Sequence, residues 1–372
     1  MTTNEGARSS EPADAGRIAH FLTSMGRGGS EVRTIDLMNA IQTPADFFSV
    51  SGQPAALDDV VRGAGHTLHL ERQSIVRLGR YVTLLRERRI RVAHAHLGLA
   101  SGFVLLCAWL ARVPVRIAGF VSEGIGGVPT VRRSILLALS RLLVSLFATD
   151  IVGVSPGSLT YGWKKGWARD SRCRVIPTGI DLDRIRQTAD ESLTADATGS
   201  IVVSIARREQ SKNRTRTLMI WEQFTRSRAS TLLLVGSMSD DELALAAEID
   251  RRVAPQSRIL VLGERSDVGA ILALCDVLLM TSKREGLPGV VLEAIAAGVP
   301  VVASDLAGVL YIAENLDGVS PLPLAAADDR WVSALETATA SDRRAALRRG
   351  FEQSIFTMDA VIEQHRALWR ML

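Results

Sequence analysis

Two carboxylates, Glu285 and Glu293, stand eight positions apart in the run Thr281-Ser282-Lys283-Arg284-Glu285-Gly286-Leu287-Pro288-Gly289-Val290-Val291-Leu292-Glu293. A strand-like apolar run, Val277 to Met280, precedes this segment, and a helical pattern starts at about Val290. The loop therefore lies at a strand's carboxyl end, and the amides of Gly289 and Val290 open a helix N-terminus without intrahelical acceptors. Such amides suit a phosphate or a sugar hydroxyl. The carboxylates suit hydrogen bonds from sugar or ribose hydroxyls, and an otherwise apolar helix has no packing use for Glu293. Without that chemistry the pair would be two solvated carboxylates at a helix start. A second element is the run Ile201 to Ile205 followed by Ala206-Arg207, with Lys212 and Asn213 five and six positions after Arg207. It offers a planar fork and a point charge, the donors a diphosphate needs. Arg208 and Arg214 are further positives without an assigned role. A third is Met25-Gly26-Arg27-Gly28-Gly29-Ser30-Glu31, whose glycines let backbone approach a ligand while Ser30 can cap the next helix. Its spacing is not the dinucleotide fingerprint, and no acidic residue ends the following strand.

These residues need strand ends to hold them. Short apolar runs alternate with amphipathic stretches along the chain, the pattern of parallel βαβ units. Strands are expected at Arg17–Leu22, Asp46–Val50, Thr67–Leu70, Val92–Ala95, Val115–Ala118 and Ile151–Val154, then at Ile201–Ile205, Thr231–Val235, Ile259–Leu262, Val277–Met280 and Val301–Ala303. The polar stretch Gln187 to Gly199 has linker composition. The expected divisions are a disordered lead over 1–16, an N-terminal domain over 17–186, a C-terminal domain over 187–354 and a terminal helix over 355–372 that packs back toward the N-terminal domain. In open parallel sheets ligands sit beyond the strands' carboxyl ends, so two such α/β domains would bind a ligand across the cleft between them. The helical stretch Arg133–Phe147 carries Ile135, Leu136, Leu139, Leu142, Leu143, Leu146 and Phe147. It reads as a core helix of the first domain, and with Arg132, Arg133 and Arg141 it has a membrane-surface helix as its alternative.

The Glu285 to Glu293 segment closely resembles the Glu-x7-Glu signature of glycosyltransferase family 4, enzymes of the GT-B fold with two Rossmann-like domains facing across a cleft. The resemblance implies that Glu285 contacts the transferred sugar, that Glu293 binds the ribose, and that Leu287, Pro288, Gly289 and Val290 line the donor site. Arg207 and Lys212 match the family's pair facing the diphosphate, and Gly28 and Gly29 its glycine loop. Val92-Ala93-His94-Ala95-His96 resembles the family's strand with a terminal His, and Val175-Ile176-Pro177-Thr178-Gly179-Ile180-Asp181 its Pro-Asn-Gly-Ile-Asp, with Thr178 replacing Asn. Asp181 and Asp183 form an Asp-x-Asp, but in this interdomain position Asp181 reads as the cap of the following turn. One feature departs from the family: where relatives place a sugar-facing His, this chain reads Gly119-Phe120-Val121-Ser122-Glu123. Ser122, Glu123 or His96 could take its place.

The implied activity is retaining transfer of a hexosyl or N-acetylhexosaminyl group from a UDP-sugar, UDP-glucose or UDP-N-acetylglucosamine on family grounds. The acceptor is a hydroxyl of a sugar, a lipid-linked glycan or a small molecule in polysaccharide, glycolipid or natural-product biosynthesis. The leaving phosphate helps take the acceptor proton, no cofactor is expected, and side-chain cations stand in for a metal. Competing readings are a GT-B epimerase or hydrolase, a glycan phosphorylase, for which only four lysines offer a Schiff base, and a non-catalytic sugar-nucleotide binder.

Bulk properties bound these readings. A length of 372 residues suits two domains. Up to Asp190 there are 24 Arg and Lys against 16 Asp and Glu, and from Glu191 onward 20 against 24, so the first half is about +8 and the second about −4. A basic half could meet an anionic membrane surface or a phosphorylated acceptor. No basic cluster interleaved with aromatics supports nucleic-acid binding. No run is long and apolar enough to span a bilayer and the N-terminal stretch lacks an apolar signal core, which points to a cytoplasmic protein, with a peripheral place on the membrane's inner face as the alternative. Cys107, Cys173 and Cys275 read as reduced packing residues, and His94 and His96 lack the partners of a metal motif.

Overall fold

The computed structural model describes residues 17–122, 130–188, 190–340 and 343–371. The expected lead over 1–16, and Glu123 as a substitute histidine, fall outside them.

Two parallel sheets form the molecule. The first contains β1 (Arg17–Leu22), β2 (Ala45–Ser49), β3 (Thr67–Leu70), β4 (Ile90–Ala95), β5 (Val115–Phe120), β6 (Asp150–Gly153) and β7 (Cys173–Val175), in the order β3-β2-β1-β4-β5-β6-β7. The second contains β8 (Ser200–Ile205), β9 (Ser230–Val235), β10 (Arg258–Gly263), β11 (Val277–Met280), β12 (Val301–Ser304) and β13 (Val319–Leu322), ordered β10-β9-β8-β11-β12-β13. Strands covered by helices on both faces need apolar residues at successive positions, not alternate ones. Ser230 to Val235 and Val277 to Met280 are accordingly buried throughout. Chain direction across each sheet reverses at one place, between β1 and β4 and between β8 and β11. The crevice at such a reversal, beyond the carboxyl ends, is where open α/β sheets receive ligands.

β7 and β13 were not expected from the sequence. Both are edge strands, one of three residues and one containing Pro321, and an edge is where a sheet tolerates a proline. After the second sheet the chain returns to the first domain. Ile180 N donates to Phe356 O (2.9 Å), and Met358 N donates to Ile180 O (3.2 Å). The Met358–Trp369 helix then buries Val361, Leu368 and Trp369 in one core with Ile18, Leu37 and Val92 of the first domain.

The reading of Arg133–Phe147 as a core helix needs correction. The Val131–Phe147 helix packs Val144 inward, yet Ile135, Leu136, Leu139, Leu142 and Leu146 are 51–65% exposed. Its apolar surface is wider than the single face the neighbouring Ser101–Leu110 helix can cover. The side chains of Arg132 and Arg133 lie outside the described set.

Candidate functional site

The second sheet's reversal point supplies the charged cluster. Lys212 ends a short turn after β8, and Glu285 lies in the loop after β11; their side chains meet at 2.6 Å (Nζ to Oε1), both less than a fifth exposed. Ser282 Oγ donates to the same carboxylate oxygen at 2.9 Å. One backbone bond and two side-chain-to-backbone bonds hold the two loops as one unit. Lys283 N donates to Ser211 O (2.7 Å), Asn213 Nδ2 donates to Thr281 O (3.2 Å), and Thr281 Oγ1 donates to Asn213 O (3.0 Å). Asn213 turns the chain in the left-handed region (φ 54°), where Asn is among the few residues tolerated without strain. Arg207 leaves the same strand end, mostly exposed, and pairs with Glu209 at 3.0 Å.

Glu293 lies inside the Gly289–Ala296 helix, whose N-cap Pro288 makes no side-chain cap. Val291 N donates back to Pro288 O at 3.1 Å, and the two amides before it, those of Gly289 and Val290, have no such partner at the helix start, where a ligand can meet them. Gly286 brings the loop against the first domain: a Cβ there would stand 2.2 Å from Val121 O. Ser155 Oγ, following β6, donates to Gly286 O at 3.0 Å.

A cleft of about 570 Å³ opens between the domains. Its walls include Gly28 and Gly29 from the loop after β1 and Arg207, Lys212, Glu285, Leu287, Pro288, Gly289, Val290 and Glu293 from the second domain. The structure thus gathers every expected site residue except His96. That histidine lines two smaller hollows of the first domain with Phe120 and Val121. Of the other substitutes for the absent family histidine, Ser122 does line the cleft.

Sequence reasoning missed Arg33. It stands one helical turn after Gly29 in the Gly29–Ile41 helix, and its guanidinium forms an ion pair across the cleft with Glu293. Arg27 also pairs with Glu264 across the domains (3.4 Å), and Arg184, whose neighbour Ile185 packs in the core of the second sheet, pairs with Asp36 of the first domain (2.6 Å). Burial holds the Asp36 carboxyl above its usual range, while Arg184 and Arg33 act in the opposite sense.

His20 was also missed. Strand register sets it beside His94, and His20 Nδ1 and His96 Nε2 share a hydrogen bond of 3.0 Å. One ring nitrogen from each of His20, His94 and His96 falls within 4.8 Å of the others, a set that could hold a metal ion, although the sequence suggested no such motif. The rings pack face to face, with His94 and His96 centroids 4.1 Å apart, beneath His365 and Trp369. Burial first, and the neighbouring imidazoles second, push His20 and His94 well below the usual range. His96 is brought down to about 3 and His365 to about 4, mainly by burial. All four are neutral at pH 7.

Comparisons with known proteins agree with this architecture. Residues 199–340 match the family described as Glycosyl transferases group 1. EpsF of Bacillus subtilis (strain 168), named as a glycosyltransferase, is 29% identical over 356 residues, 88% of each chain. The capsular polysaccharide biosynthesis glycosyltransferase CapH of Staphylococcus aureus is 24% identical over 78% of this chain and 81% of its own. Anabaena Alr3699/HepE, crystallised in complex with UDP, superposes with a TM-score of 0.77 at 18% identity, covering 96% of this chain and all of its own. With a fold that superposes on that neighbour over nearly the whole chain, residues 199–340 matching Glycosyl transferases group 1 and relatives named as glycosyltransferases, the chain is a glycosyltransferase of the GT-B fold.

Proposed function

We propose that this glycosyltransferase belongs to family 4. In this reading it transfers a hexosyl or N-acetylhexosaminyl group, with retention, from a UDP-sugar to an acceptor hydroxyl in polysaccharide or glycolipid assembly. The observation that carries the reading is the Lys212–Glu285 contact at the cleft floor, with Arg207 beside it and free helix amides at Gly289 and Val290. Breaking an anomeric C–O bond puts charge on the departing diphosphate. Fixed cations and amides stabilise that charge best where water is sparse. Lys212 and Arg207 face the diphosphate, Glu285 the sugar hydroxyls and Glu293 the ribose. The departing phosphate oxygen takes the acceptor proton as the acceptor attacks from the same face, so no protein nucleophile is required. With cations supplied by side chains, turnover needs no divalent ion. The UDP-bound Anabaena neighbour and the polysaccharide name of the Staphylococcus relative support the choice of donor and pathway class.

The exposed row from Ile135 to Leu146, in the basic half of the chain, gives the first domain a surface suited to an anionic bilayer and hence to a lipid-linked acceptor. No helix among the described residues is long and apolar enough to cross a membrane.

The test is incubation with UDP-glucose or UDP-N-acetylglucosamine and a panel of sugar and lipid-linked acceptors, in chelator, with the product's anomeric configuration read by NMR. Acceptor-dependent release of UDP with an α-linked product is expected. Free sugar or an epimer as main product would make it a hydrolase or epimerase, and activity lost in chelator and restored by magnesium or manganese would contradict metal-free transfer.

A further inference from the structure

Arg33 occupies a position that suits an anion. A Cβ on Gly289, the first residue of the Gly289–Ala296 helix, would stand 3.5 Å from Arg33 Nη2 and 3.7 Å from Nε. The guanidinium therefore lies over the positive end of a helix dipole, where a cation is disfavoured and an anion welcome. Two carboxylates keep it there. Glu293 forms the ion pair across the cleft, and Asp36, 3.4 Å from Nη1, is shared with Arg184. Arg33 is only 17% exposed and lines the same cleft as Arg207 and Lys212, from the opposite wall.

The proposed function assigns Glu293 to the ribose, and the role of Arg33 rests on that assignment. Ribose hydroxyls arriving at Glu293 compete with Arg33 for its oxygens. The cation would then be left facing free helix amides with half a carboxylate for company, unless the nucleotide brings negative charge of its own. We infer that Arg33 is a third donor-site cation, which exchanges Glu293 for the diphosphate when the nucleotide enters. The exchange ties the first domain to the phosphates while Lys212 and Arg207 hold them from the second. A nucleoside lacking phosphates breaks the Arg33–Glu293 pair without offering Arg33 a replacement.

Uridine and UDP therefore respond in opposite ways to loss of this side chain. The experiment measures both ligands by calorimetry or ligand-observed NMR on the full chain, wild type against Arg33→Ala, Arg33→Lys and Glu293→Ala. Arg33→Ala should weaken UDP by roughly tenfold or more, the size of a lost charge-assisted contact, while uridine binds as well as before or better. Arg33→Lys should recover part of the UDP affinity, and its unchanged melting temperature would certify the fold if the alanine variant proves unstable. Equal losses for uridine and UDP in both variants, or UDP affinity untouched, would overturn the inference. Glu293→Ala separates the underlying assignment: weaker uridine binding supports it, and wild-type uridine binding removes it, and with it the exchange, whatever Arg33→Ala does to UDP.

Discussion

At the scale of single residues, the charges facing the cleft are already paired with one another. Lys212 holds Glu285, and Arg33 holds Glu293. A donor must exchange these partners, so its binding is a difference between two sets of charge-assisted bonds. Lys212→Ala should lower kcat by about 10²-fold or more, because its charge matters most as the diphosphate departs, while KM for the donor changes less. Steady-state UDP release measures both constants, and an unaltered kcat would remove Lys212 from the chemistry. The local part of this site was readable in the sequence because Glu285, Gly289 and Glu293 share one loop and helix. Arg207 and Lys212 were readable for the same reason. Arg33 was not, since its partner lies 260 positions away and nothing local marks it as a cleft residue. His20 escaped notice in the same way, meeting His94 and His96 only through the β1–β4 register.

Among elements, the central strands were legible because both their faces are buried, which leaves uninterrupted apolar runs. Edge strands β7 and β13 carry less of that signal, and Val175 was read instead as part of the interdomain segment. The Val131–Phe147 helix shows the opposite difficulty. Its leucines announce burial, but the sequence does not say against what. Five of the apolar side chains are exposed in the folded chain. Leu139→Glu with Leu142→Glu should leave folding nearly unchanged, as neither side chain is buried, but should abolish cosedimentation with vesicles rich in anionic lipid. Each buried leucine contributes about 1.5–3 kcal/mol to such an attachment. Wild-type protein that stays in the supernatant at low salt would contradict the bilayer reading.

The whole molecule depends on the return of the C-terminal helix to the first domain, which lays His365 over His20, His94 and His96 and buries four neutral imidazoles together. Their folded pKa values lie below the unfolded value of about 6.5, so below that pH the unfolded chain binds more protons. The stability they confer is complete above pH 6.5 and is lost as pH falls toward the folded values, about 4 for His365 and about 3 for His96. Each contributes a slope of up to about 1.4 kcal/mol per pH unit in that window. Urea denaturation at pH 7.5 and 5.5 should show a loss of a few kcal/mol, and His365→Gln should reduce the slope by about one proton. A flat profile would mean that these histidines are accessible to protons in the folded chain. The two-domain plan was legible from alternating strand and helix patterns, whereas the ion pairs that cross the cleft join residues far apart in the chain. Whether that cleft is a nucleotide site is decided most directly by calorimetric titration of UDP into wild type and Glu293→Ala in chelator. One UDP should bind per wild-type chain, and the variant should lose about 1–3 kcal/mol of affinity as the ribose hydrogen bonds disappear. UDP affinity that is the same in both proteins, or no binding to the wild type, would contradict a donor site built on Glu293.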